Sequence, residues 1–250
     1  MPEILRDLTP DRQVTRCELV CFPYAGGGVR VFRDWPRYLT RLVNISVVQL
    51  AGREDRMAEE FQTDPERVVA LLAEAIAPLA DKGGLVLFGH SLGATLAART
   101  AQEVFGGRGG TEAVLFVSGR RAPWSARPEP DDRELTDYDY LDELTAMGRL
   151  EPGLVTNAEF ARLTLPALKA DLRLSAAGRG IRERAVCLPV IGLYGHQDEG
   201  APLSSVREWS RFTTGSFRSA GIDGDHFFLE SQVERVTTLI DTAARSLIRR

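Results

Sequence analysis

Cysteine, histidine and methionine are scarce in this chain, with three of each in 250 residues. Cys17 and Cys21 lie four apart on an expected strand, roughly 13 Å from one another and too far for a bridge. Cys187 has no obvious partner, so reduced thiols and a cytoplasmic setting are expected. None of the three has metal-ligand spacing, which argues against a zinc site or a catalytic cysteine. A basic surplus is missing too. Thirty-one Lys and Arg face 35 Asp and Glu, a formal net charge of −4, which argues against general nucleic-acid affinity. No apolar run approaches the ~18 residues of a membrane span. The opening Met1–Gln13 lacks the apolar centre of a signal peptide and reads as the start of a loose, polar lead-in over 1–16. Nucleotide loops are lacking as well: no G-x-x-x-x-G-K-[ST] occurs, and a G-x-G-x-x-G begun at Gly26 fails at Val31. There is no internal repeat and no low-complexity linker, and the length suits a single domain over 1–250.

What is present centres on Leu85-Val-Leu-Phe-Gly-His-Ser-Leu-Gly-Ala-Thr-Leu-Ala-Ala98. Four apolar residues suit a buried strand. The Ala- and Leu-rich end suits a helix. Between them Gly89-His-Ser-Leu-Gly93 matches G-x-S-x-G. A strand that turns abruptly into a helix strains the turn residue, and glycines on either side leave room for it. Ser91 would then stand above the sheet edge, with the helix N-terminus facing any anion formed there.

Apolar strand candidates recur at Glu18–Phe22, Ile45–Leu50, Leu85–Phe88, Ala113–Val117, Leu188–Tyr194 and Phe217–Ile222. Helical patterns alternate with them. Asp64-Pro65 caps one helix, which Pro78 is expected to end early. Phe32, Trp35, Leu39 and Leu42 suit a helical stripe over 29–43. Leu92 to about Phe105 and Ser231 to Ile248 form two more helices, and a short one carries Trp209 and Phe212. Continuous apolar strands alternating with helices predict an α/β fold: a mostly parallel sheet covered on both faces. The rhythm breaks at about 120–184. That stretch holds Pro123, Pro128, Pro130, an acidic segment Asp131–Leu144, and helical sequence at Ala158–Leu163 and Ala167–Leu174, split by Pro166. It reads as a helical lid insertion. Ala51–Arg56 reads as a solvated charged turn.

A serine hydroxyl needs a base, and the base needs a carboxylate to fix its tautomer. On such a sheet the order is serine, acid, histidine. His90 lies in the turn itself, where its ring should point away, and reads as a packing residue. His196 precedes the acid candidate. His226 alone lies downstream of Asp198, which follows a strand by four residues. Glu199 is the fallback acid, and Asp223 and Asp225 read as local turn or cap residues. Leu92 N–H supplies one oxyanion donor. The glycine-rich loop Phe22-Pro-Tyr-Ala-Gly-Gly-Gly28 is expected to supply the other, at Ala25.

Six ordered motifs carry a resemblance: Phe22–Gly27, Gln49–Arg56, Gly89–Gly93, Ser118–Pro123, Leu165–Asp171 and Gly224–Phe228. Together they make the chain resemble the type II, external editing thioesterases of polyketide synthases and nonribosomal peptide synthetases, from about Leu19 to Leu229. The resemblance implies the α/β-hydrolase fold with a helical lid. It implies hydrolysis of acyl groups from the phosphopantetheine arms of acyl or peptidyl carrier proteins, with Ser91 as nucleophile, His226 as base and Asp198 as acid. No cofactor or metal is implied beyond the arm that the substrate carries. Ala51 and Lys169 stand where the family usually has Pro and Arg.

Carrier proteins are typically acidic, and Arg30, Arg33, Arg53, Arg56, Arg120 and Arg121 are candidates for a docking patch. A monomer without nucleic-acid or membrane partners is expected. The same triad also suits a small-molecule carboxylesterase or an acyl-coenzyme A hydrolase. A protein that only binds a ligand, and acyl transfer to an acceptor other than water, are further readings.

Overall fold

The computed structural model describes residues 4–11, 16–107, 112–125 and 158–248, without the side chains of 158–164 and 176. Among the described residues seven strands form one sheet: β1 (Leu5–Asp7), β2 (Cys17–Phe22), β3 (Val43–Val48), β4 (Gly84–His90), β5 (Ala113–Ser118), β6 (Val190–Gly195) and β7 (Phe217–Ile222), in the order β1-β3-β2-β4-β5-β6-β7. β1 is antiparallel to β3, and all other neighbours are parallel. The α-helices among the described residues are α1 (Pro65–Ala80), α2 (Leu92–Phe105), α3 (Ala158–Leu174), α4 (Leu203–Arg207), α5 (Phe228–Ser231) and α6 (Val233–Ile248).

Side-chain alternation along central β4 divides the core in two. Leu85 and Leu87 join Val68, Leu72 and Ile76 of α1 and Ala97 and Ala101 of α2. Val86 and Phe88 join Trp35, Phe32 and the α6 residues Val236, Ile240 and Leu247 on the opposite face. Every residue of β4 is buried, as a parallel strand covered on both sides requires. Asp64 caps α1 by accepting from Glu66 and Arg67 N–H at 3.0 and 3.3 Å, with Pro65 in the first turn.

Several local expectations are corrected. The polar lead-in contains β1, an edge strand too short for periodicity to reveal, braced by an Arg6–Asp55 pair at 2.5 Å. Residues 29–43 form no α-helix; two 3₁₀ turns stand at Val29–Phe32 and Trp35–Arg37. Spacings of three suit either geometry, so Phe32, Trp35 and Leu39 are still buried while Leu42 is exposed. Phe32 and Trp35 meet edge to face with centroids 4.8 Å apart. α1 runs past Pro78 to Ala80, and α3 continues through Pro166 where a break is expected. Ala51–Arg56 is not solvated throughout, since Arg53 and Arg56 are buried. The acidic segment Asp131–Leu144 and the prolines at 128 and 130 lie outside the described residues. From α3 and the 3₁₀ turn at Ser175–Gly180, Leu165, Leu168, Leu174 and Ala177 are buried.

Between β4 and α2, Ser91 takes φ +52° and ψ −118°. The two glycines of the motif allow this. A Cβ on Gly89 would fall inside the Gly93 carbonyl, and one on Gly93 inside the Phe22 carbonyl. The first turn of α2 therefore packs directly on the end of β2. Replacing Gly93 with Ala overpacks this junction, at about 1–3 kcal/mol. The expected result is a thermal midpoint lower by several degrees. An unchanged midpoint would contradict the close approach.

Candidate active site

Parallel registry carries three chain segments to one sheet edge. His90 is in register with Ser118, Ser118 with Leu193, and Gly195 with Ile222. Ser91, the turn after Gly195 and the turn after Ile222 therefore leave the sheet on the same side, where ligands bind in open α/β folds. The last two turns are laced together. His196 N–H donates to Ile222 O at 2.9 Å, Gln197 N–H to Gly224 O at 3.0 Å, and Gly224 N–H to the Gln197 side-chain oxygen at 2.7 Å. A Cβ on Gly195 would collide with the Asp225 carbonyl at 2.5 Å, so glycine there lets the turns close.

Within this junction His226 Nδ1 lies 2.8 Å from Asp198 Oδ2. A carboxylate only accepts, so Nδ1 carries the proton and Nε2 is left as an acceptor. The other carboxylate oxygen accepts from Gly200 and Ala201 N–H at 2.9 and 3.1 Å. Asp198 is thus buried and held at both oxygens. Arg121 braces the same turn through a fork on Gly200 O at 3.0 and 2.6 Å. The rival carboxylates sit elsewhere. Glu199 is exposed, Asp223 pairs with His196 at 3.2 Å, and Asp225 accepts from Phe227 N–H at 2.8 Å.

His90 does more than pack, a correction to the expectation from sequence. It is fully buried and bridges two elements: Nε2 is 2.8 Å from the His226 carbonyl and Nδ1 is 2.9 Å from the Ser118 hydroxyl. The carbonyl can only accept, so Nε2 holds the proton and the Ser118 hydroxyl donates to Nδ1. Burial pushes the His90 imidazole well below its ordinary pKa, and the nearby His226 adds to this. A neutral ring is therefore fixed beneath the His226 turn, with the two imidazole centroids 5.1 Å apart. Nothing in the local sequence distinguishes such a bridge from apolar packing, because its partners are 28 and 136 residues away.

On the other side of Ser91 stands the glycine-rich loop. Gly27 N–H donates to Tyr24 O at 2.9 Å, closing a turn in which Gly26 takes φ +78°. Tyr24 reaches across to the His226 turn, meeting Phe227 edge to face at 5.1 Å and hydrogen-bonding Glu230. Ala25 N–H and Leu92 N–H, the latter at the start of α2, have no acceptor among the described residues. Two free donors thus flank the serine turn, and the arrangement can receive an oxyanion. Of the arginine candidates, Arg53 and Arg56 are buried, Arg120 is half-buried and Arg121 is engaged on Gly200 O, which leaves Arg30 and Arg33 as the exposed members. Among the described residues no group of three or more His, Cys, Asp or Glu side chains is placed to hold a metal. No helix among them is long and apolar enough to cross a membrane.

The comparisons agree with this architecture. Residues 17–245 match the thioesterase domain family. Thioesterase PikA5 of Streptomyces venezuelae is 36% identical over 214 residues, covering 86% of this chain and 76% of that protein. Gramicidin S biosynthesis protein GrsT of Aneurinibacillus migulanus is 31% identical over 222 residues, covering 88% and 86%. The solved structure of RedJ, a thioesterase from the prodiginine biosynthetic pathway in Streptomyces coelicolor, superposes with a TM-score of 0.81 at 32% identity, over 93% of this chain and 92% of that one. With its α/β-hydrolase sheet, its serine elbow and a family match spanning nearly its whole length, the chain belongs to the thioesterase family.

Proposed function

We propose that this thioesterase removes acyl groups from the phosphopantetheine arm of acyl or peptidyl carrier proteins, clearing misprimed or stalled modular synthases. Ser91, His226 and Asp198 are its catalytic residues, and Ala25 and Leu92 N–H its oxyanion donors. The observation that carries the reading is the 2.8 Å contact of His226 with a doubly anchored Asp198 beside the strained Ser91 turn. Two relatives, one named for gramicidin S biosynthesis and one for the prodiginine biosynthetic pathway, support the carrier-bound substrate. The chain is taken as a cytoplasmic monomer. Residues 126–157, in the stretch at about 120–184 that is expected to form a lid, lie outside the described residues.

The chemistry follows from the geometry. Ser91 Oγ attacks the thioester carbonyl while its proton passes to His226 Nε2. Asp198 stabilises the imidazolium and keeps the tautomer. Negative charge on the carbonyl oxygen falls between the Ala25 and Leu92 N–H groups, with the α2 dipole behind them. The carbon–sulfur bond then breaks, and the thiolate leaves with the proton from His226. A thiol pKa near ~8.5 makes this departure easier than that of an amine. Water, deprotonated by His226, attacks the acyl-serine. The acid is released as Ser91 recovers its proton.

Ser91→Ala is expected to lower turnover of acyl-carrier thioesters by about 10⁴-fold or more, with the thermal midpoint unchanged. Asp198→Asn should cost on the order of 10³–10⁴-fold through the wrong tautomer. Mass analysis of the carrier after incubation reads both, and substantial residual turnover in Ser91→Ala would overturn the assignment. For the partner, the exposed Arg30 and Arg33 are the informative pair. Reversing both to Glu should raise KM for a carrier-bound thioester and leave a small free thioester unaffected. Equal effects on both substrates would remove these residues from docking.

A further inference from the structure

A buried ion pair outside the triad is joined to the glycine-rich loop. Arg53 and Asp171 form a fork, Nη1 to Oδ2 at 2.5 Å and Nη2 to Oδ1 at 2.6 Å. Asp171, on α3, is 1% exposed, and the Arg53 side chain is 8% exposed. Both members also hold the loop. Asp171 Oδ2 accepts from Gly26 N–H at 2.7 Å, and Arg53 Nη1 donates to Gly27 O at 3.2 Å. Gln49 completes the clamp, accepting from Val29 N–H at 3.0 Å and donating to Arg53 O at 3.2 Å.

The clamp bears directly on Ala25. In the Tyr24–Gly27 turn the Tyr24 carbonyl is fixed inward by Gly27 N–H. The peptide bond is planar and trans, so Ala25 N–H, on the same peptide unit, must point the opposite way. Gly26 supplies the positive φ that such a turn needs at its third position. Twisting this turn would re-aim Ala25 N–H, and Asp171 and Arg53 grip the two residues that follow it. Burying such a pair adds little stability over apolar residues of similar size. A fork between two planar groups does supply fixed geometry.

We propose that Arg53 and Asp171 are positioning residues that aim Ala25 N–H at the oxyanion, and that they tie this aim to the placement of α3. The proposal rests on the oxyanion reading of Ala25 given above. The test uses Asp171→Asn and Arg53→Lys, which keep size or charge but break the fork. Active sites are titrated, and kcat, KM and inhibition by an alkyl trifluoromethyl ketone are measured. The serine oxygen adds to the carbonyl carbon of such a ketone while the serine proton passes to His226, which leaves an oxyanion on the carbonyl oxygen.

The expected result is a kcat per titrated site lower by about 10- to 100-fold, with KM little changed. Ketone inhibition should weaken in parallel. A purely structural role would instead lower the number of active sites and the thermal midpoint, with kcat per site unchanged, and that result overturns the proposal. Amide exchange in the unsubstituted protein gives a second, independent reading. The Gly26 amide should be protected in the free protein, whereas the Ala25 amide should become protected only with ketone bound. A freely exchanging Gly26 amide overturns the clamp whether or not the variants fold. An Ala25 amide that still exchanges freely in the ketone complex overturns the oxyanion reading itself. A protected Ala25 with wild-type kcat per site in both variants overturns the positioning role alone.

Discussion

The contact on which the site depends is between backbones: the first turn of α2 lies against the carbonyl end of β2, with only hydrogen at Gly93 between them. That approach strains Ser91 into positive φ. It also brings the start of α2 beside the loop that leaves β2, so Leu92 and Ala25 flank the same turn. Hydroxyl and N–H groups thus share one rigid origin, the covered parallel sheet. Elements with buried, continuous apolar faces hold such groups more firmly than loops packed only on their own side chains.

A second layer of polar contacts orients what the backbone delivers. Asp198 is held by two N–H donors, its turn by Arg121, and the His226 turn by His90. These contacts divide the histidines by environment. His90 is sealed, uncharged and bonded at both nitrogens, whereas His226 has Nδ1 committed to a carboxylate and Nε2 left as an acceptor. Burial without a carboxylate makes a strut of one ring, and a carboxylate beside the other suits it to the role of base proposed for it.

Much of this is legible in the sequence. Strands β2 to β6 announce themselves as largely apolar runs because both faces of a parallel sheet are covered, whereas β7, at the sheet edge, carries Arg218 and Ser219 and buries only Ile222. The elbow follows from Gly89 and Gly93, and the order of Ser91, Asp198 and His226 points to three strand ends that the fold brings to one edge. Other features were hidden for physical reasons. β1 has three residues, two of them charged, and is recognised only by its pairing with β3. The 3₁₀ turns at Phe32 and Trp35 share their spacing with an α-helix. Arg53 resembles a solvated loop residue until Asp171, 118 positions away, closes on it. Partners so distant in sequence leave no local pattern for periodicity or capping rules to detect.

The central claim is that the hydroxyl at residue 91 is activated by the imidazole at 226. Covalent labelling by phenylmethylsulfonyl fluoride, mapped by peptide mass spectrometry, tests it most directly. The account predicts a single adduct on Ser91 whose formation collapses in His226→Ala. An adduct on another residue, or labelling of Ser91 at an undiminished rate without the imidazole, would contradict it.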